Sequence, residues 1–119
     1  VVLVWSAGQP FPILARKDGA RSLIKMTGHM LGHIENAAYT ESAVTLMRGD
    51  RLYFYTDGLV DTVDREGTML GWNGLLDVIL KATGPDLAQT LDRILEGVKS
   101  FSGDEPFSDD VLIIGFEVV

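Results

Sequence analysis

Arg48-Gly49-Asp50-Arg51-Leu52-Tyr53-Phe54-Tyr55-Thr56-Asp57-Gly58 holds the main clue to the architecture. Its middle, Arg51 to Tyr55, is aromatic and apolar and reads as a strand, because such side chains suit a pleated, half-buried surface. Turn residues bound it on both sides, Arg48-Gly49-Asp50 before and Asp57-Gly58 after. A carboxylate therefore falls directly at the strand's C-terminal end. Further along, Ser108-Asp109-Asp110 stands directly before a second apolar run, Val111 to Val119. If these two strands run antiparallel in one sheet, the end of the first and the start of the second share an edge, and Asp57 and Asp109 converge there. Hard divalent ions such as Mg2+ and Mn2+ take carboxylate, carbonyl and water oxygens, and a strand end holds such a ligand more rigidly than a loop tip. Gly58, having no side chain, leaves room beside an ion. Asp-Gly is also an ordinary turn pair and Ser-Asp-Asp ordinary loop composition, so spacing alone leaves metal ligation and a solvated turn both open.

Outward from that stretch, the first half of the chain reads as short strands. Val1 to Trp5, Pro12 to Ala15, Ser22 to Met26 and Ser42 to Met47 are apolar, β-branched or aromatic, with turn chemistry between them. Strands this close in sequence are expected to pair as antiparallel hairpins. The second half changes period. Leu75, Leu76, Ile79 and Leu80 recur at helical spacing after Asn73, which is expected to cap the helix, and Gly84-Pro85 closes it. Leu87, Leu91, Ile94, Leu95, Val98 and Phe101 then mark one apolar stripe of a second helix. A polar loop is expected over Ser102 to Ser108. Strands first and helices later predict an α+β fold, with antiparallel β-sheets and helices packed on a sheet face.

Composition sets the outer limits. The chain has 119 residues, 10 Lys+Arg against 17 Asp+Glu, and a formal net charge of −7. One domain is expected, and a chain of this length buries roughly two-thirds of its unfolded surface. The acidic balance repels phosphate backbones and anionic lipid, so neither nucleic acid nor a membrane surface is an expected partner. Cys is absent, which excludes disulfides, a thiolate nucleophile and Cys-ligated zinc. No apolar run approaches the roughly 20 residues of a spanning helix, so a cytoplasmic domain is expected. The chain opens on Val1-Val2-Leu3-Val4-Trp5, already in strand composition, as a piece of a longer protein would.

The string Arg48 to Asp61, followed by Phe107-Ser108-Asp109-Asp110-Val111, closely resembles the C-terminal half of PPM-type metal-dependent serine/threonine phosphatases, in the SpoIIE/RsbU branch of bacterial regulators. Ser6-Ala7-Gly8-Gln9-Pro10 resembles that family's Asn-Ala-Gly-His-Pro turn, Gly28 to Gly32 its Gly-x-x-Leu-Gly loop, and Glu66-Gly67 to Gly71 the segment between its helices. The resemblance spans essentially residues 1–119 and implies part of an α-β-β-α sandwich, with a Mg2+ or Mn2+ pair at one end. It implies Asp57 and Asp109 as metal ligands, with Gly58 and Asp110 in supporting places. It further implies hydrolysis of a phosphoprotein by metal-activated water, and no protein nucleophile. Relatives in this branch act on anti-sigma-factor antagonists in stress signalling and are fused to sensory or receiver domains, so a regulatory phosphoprotein is the implied substrate.

Two departures qualify the expectation. The family's early Asp, whose carboxylate bridges both ions, has no counterpart in residues 1–119, so this chain alone is expected to have little or no turnover. Gln9 and Ser6 stand where the family has His and Asn. A non-catalytic interaction module on a decayed phosphatase scaffold is the alternative, and a truncated sandwich would leave an apolar sheet face able to pair with a second copy. Other motifs have plainer readings. Arg48-Gly49-Asp50 is expected to be a tight turn rather than an integrin motif. His29 and His33 fall in a Gly-flanked loop. Trp5 and Trp72 are expected to pack, Asp61 and Asp64 to be solvated, and Met26, Met30, Met47 and Met69 to fill core gaps.

Overall fold

The computed structural model describes residues 2–5, 11–24, 41–103 and 110–119, with 2–5 and 41–44 described as backbone. Among the described residues six strands and three helices follow in order: β1 (Val2–Trp5), β2 (Ile13–Ala15), β3 (Arg21–Leu23), β4 (Glu41–Val44), β5 (Arg51–Tyr55), α1 (Asp57–Val60), α2 (Gly71–Ala82), α3 (Leu87–Ser102) and β6 (Ile113–Glu117). They form a two-stranded sheet, β1-β4, and a four-stranded sheet in the order β3-β2-β5-β6. Every pairing is antiparallel, which is the expected α+β class.

The expectation of sequential hairpins holds for β2 and β3 but fails elsewhere. β1 pairs with β4, from Val2↔Val44 to Trp5↔Glu41, and β5 inserts between β2 and β6. Burial accounts for the central place of β5: Tyr53 is 0% exposed, with sheet on both sides and a helical layer above it. In β5 the period-two alternation aims Tyr53 and Tyr55 at the helices and Leu52 and Phe54 at the opposite face.

The helical layer rests on the first of these faces. Ile94 and Val98 of α3, with Leu75 and Ile79 of α2, are fully buried against Ile13, Tyr53 and Tyr55. Each such side chain contributes about 1.5–3 kcal/mol of burial. Gly115 of β6 lets α3 approach closely, since a Cβ there would meet Leu87, Leu91 and Tyr53 within 3.2–3.4 Å. Asp86 caps α3 by accepting from the Gln89 N–H at 3.0 Å, and Gly103 ends it in the left-handed conformation at φ +69°. Ser102 thus belongs to the helix rather than to the expected loop. Asn73 lies inside α2, which begins two residues earlier, so it is not the cap. Met47 and Met69 are 70% and 53% exposed, not core, while Met26 and Met30 lie outside the described residues.

On the other face, Leu14, Ile24 and Leu52 form a smaller cluster with Phe11, Leu46 and Phe54. Phe116 meets Phe54 edge-on at 5.8 Å between ring centroids yet remains 56% exposed, and Ile114 is 44% exposed. Among the described residues no helix is long and apolar enough to cross a membrane.

Candidate metal centre

β5 and β6 run antiparallel with Tyr55 opposite Ile113, so the C-terminal end of one and the start of the other share an edge. Thr56 extends that pairing beyond the regular strands. Its N–H donates to the Leu112 carbonyl at 3.0 Å, its hydroxyl donates to the Asp110 carbonyl at 3.0 Å, and the same oxygen accepts from the Leu112 N–H at 3.0 Å. One side chain therefore ties both main chains at the point where the acidic residues begin.

Directly after this clamp, Asp57 opens the single turn α1 and is exposed. Gly58 is buried, and a Cβ on it would collide with the Asp110 carbonyl oxygen. Its observed role is thus to admit the backbone of the segment entering β6. Asp110 is exposed at the same edge. Asp109 lies outside the described residues, as do Ser6, Gln9, His29 and His33. Among the described residues no group of three or more His, Cys, Asp or Glu side chains could hold a metal ion. The donors that are described, exposed carboxylates beside backbone carbonyls, are hard oxygens of the kind Mg2+ and Mn2+ take, and among the described residues they do not assemble a site.

The wall next to Asp57 is built from α1 and the start of α2. A shallow cleft of about 280 Å3 is lined by Asp57, Val60, Asp61, Met69, Gly71 and Trp72. Trp72, 43% exposed, stacks on Phe11 at 6.2 Å and 26° between planes, so it packs as expected on one side and faces the cleft on the other. The Tyr55 hydroxyl donates to the Phe11 carbonyl at 2.6 Å. Burial pushes that hydroxyl up to about 12; Trp72 opposes the rise and the Asp57 charge adds to it. Tyr55 is a neutral post between the sheet and the Phe11-Trp72 pair.

The nearby acids divide cleanly. Asp61 is exposed and shares the cleft with Asp57. Asp64 instead accepts from the Glu66 and Thr68 N–H groups at 2.9 Å each and shapes the turn between Val63 and Met69. Arg48-Gly49-Asp50 forms the expected turn: the Asp50 N–H donates to Met47 at 3.0 Å, Gly49 takes φ +89°, and Asp50 is only 3% exposed. The sequence pattern alone assigns no site role to Thr56 or Tyr55. A hydroxyl residue between a strand and an Asp-Gly turn is the signal that points to Thr56.

Solved structures share this fold. The PP2C domain of SiaA from Pseudomonas aeruginosa superposes with a TM-score of 0.77 at 20% identity, covering 98% of this chain and 47% of that one. The RsbU and RsbW domains of Rv1364c from Mycobacterium tuberculosis give 0.69 at 23% identity, covering 97% and 32%. The catalytic domain of the serine/threonine phosphatase PstP in complex with two manganese ions gives 0.60 at 20% identity, covering 98% and 54%. The chain thus has the fold of a PP2C-type phosphatase domain and spans about half or less of these solved chains. It belongs to the SpoIIE family: the family described as Stage II sporulation protein E (SpoIIE) matches residues 1–119. No match was found among curated proteins.

Proposed function

We propose that this chain is the C-terminal half of a divalent-metal-dependent phosphoserine/phosphothreonine protein phosphatase, contributing Asp57 and Asp109 as metal ligands. The observation that carries this reading is the Thr56 clamp, which brings the residue before Asp57 against the Asp110 main chain, next to Asp109 in the sequence. Membership of the SpoIIE family and the likeness to a phosphatase domain holding two manganese ions support it.

Bound Mg2+ or Mn2+ supplies an activated water and neutralises charge on the phosphoryl oxygens. The chain's own part is positional. β5 and β6 form the shared edge at which Asp57 stands, Gly58 keeps the two segments in contact, and Trp72 and Met69 form an apolar wall beside Asp57. The substrate is a phosphorylated regulatory protein of the anti-sigma-factor-antagonist type, and the parent carries a sensory or receiver domain in a cytoplasmic stress-signalling system. The likeness to SiaA and RsbU domains supports a regulatory partner.

The test is a Mn2+-dependent phosphatase assay on this chain and on a protein extended N-terminally. Turnover is expected only in the extended form, and Asp57→Ala and Asp109→Ala should each lower it at least about 100-fold there, the scale on which lost electrostatic stabilisation acts. Unchanged turnover and Mn2+ affinity in both variants would replace this reading with the non-catalytic interaction module.

A further inference from the structure

We propose that a second site, at the opposite end of β5 from Asp57, binds a phosphate-type dianion. A cleft of about 310 Å3 opens where β2 leaves the sheet, β3 enters it, and α2 passes into α3. Arg16, Lys17, Arg21 and Arg51 line it, with Glu117 as the sole carboxylate in the lining. Four of the chain's 10 Lys and Arg residues thus share one cavity in a molecule of net charge −7. The overall field disfavours anions, so a cationic concentration of this kind acts locally.

Charge accounting gives the ligand its class. Arg51, 7% exposed, donates to Glu117 at 2.7 Å and to the Gly84 carbonyl at 2.8 Å, so its charge is matched and its position fixed. Arg16 is matched by Asp50 at 2.7 Å and also donates to the Thr45 carbonyl. Lys17 has no ion-pair partner among the described residues. Arg21 has only Asp77, at 3.9 Å and 72% exposed, a contact that water largely screens. Among the described residues Lys17 is thus unpaired and Arg21 only weakly paired, a positive surplus that suits a doubly charged phosphoryl group.

Arg21 and the Lys17 main chain and stem are also held in place. The Lys17 N–H donates to Asp50 at 3.0 Å, and the Lys17 stem lies across Gly49, where a Cβ would come within 2.7 Å of its Cδ. Arg21 donates to the Leu76 carbonyl. Leu80 and Pro85 complete the lining with apolar surface, so the cavity accommodates a phosphoryl group together with a small attached body. The five residues of β5 separate this cleft from Thr56 by about 16 Å, and it does not depend on the metal-centre reading.

The experiment titrates the 119-residue chain in EDTA, which keeps metal-held phosphate out, with inorganic phosphate and with a phosphoserine peptide at constant ionic strength. Amide shifts are followed by NMR. Saturable binding is expected, with the Gly19, Gly49 and Gly84 amides moving most. Lys17→Glu should weaken it at least about tenfold, the scale of one charged hydrogen bond, while Lys99→Glu, the same charge change on the far helix, should change it less than about twofold. Peptide binding more than about tenfold tighter than phosphate assigns the site to a phosphorylated protein segment, and equal binding assigns it to free phosphate. If Lys17→Glu perturbs the fold, Arg21→Gln takes its place. Non-saturable shifts, or equal weakening by the Lys17 and Lys99 variants, would overturn the proposal.

Discussion

Asp50 and Asp57 stand at the two ends of one strand, and the chain treats them in opposite ways. Asp50 is 3% exposed and accepts from the Met47 N–H at 2.9 Å, the Lys17 N–H at 3.0 Å and the Arg16 guanidinium at 2.7 Å. Asp57 is exposed, on a single helical turn, beside a cleft. A carboxylate whose acceptor sites are filled by its own chain serves the fold. One that the fold positions precisely where solvent reaches it is free to bind something else. Burial and hydrogen-bond satisfaction separate these roles where residue type does not.

The strongest way to break the contrast is at the buried end. Arg51→Met strips Glu117 and the Gly84 carbonyl of their donor, and a loss of about 3 kcal/mol is expected in urea unfolding, at the lower edge for a buried pair because Glu117 is partly exposed. At the other end, Gly58→Ala forces a methyl onto the Asp110 carbonyl. It should cost about 2 kcal/mol and, in the extended protein, weaken Mn2+ binding, because the two segments must separate.

Asp50→Asn should cost about 1.5 kcal/mol at neutral pH by removing a charge-assisted bond to Arg16. The Met47 N–H first, then Arg16 and the Lys17 N–H, hold the Asp50 carboxyl below the ordinary 3.8 against the opposing effect of burial. The native advantage over Asp50→Asn is therefore complete above about pH 4 and disappears as pH falls through the lowered folded value. Paired unfolding curves between pH 7 and pH 2 should converge; a gap that stays constant would show that the charge contributes nothing. Asp57→Asn should change stability least, within about 0.5 kcal/mol in the same urea assay. A large destabilisation there would erase the distinction between the two ends.

Legibility followed the same division. β5 was readable to the residue, because turn chemistry on both sides and aromatic composition agree, and the α3 stripe was readable because six apolar positions hold one helical face. The order of the strands was not. β1 pairs with β4 across the intervening β2 and β3, a long-range pairing that no local pattern encodes. α1 has four residues, too few for any periodicity to register. Sequence placed Asp57 correctly at the end of β5, but the Thr56 clamp reaches across more than fifty positions and the Arg16-Asp50 pair across thirty-four. Such bonds have no local signature.

The Thr56 hydroxyl has one more effect. By substituting for a further rung of the ladder, it lets β5 pass into α1 without an intervening loop, so a single residue joins the last sheet position to the Asp57 carboxylate. The lever arm is that short, and the swing available to the Asp57 Cα is close to that of the sheet itself. A carboxylate so placed is already confined in space, so little chain entropy would be left to lose if it captured a cation.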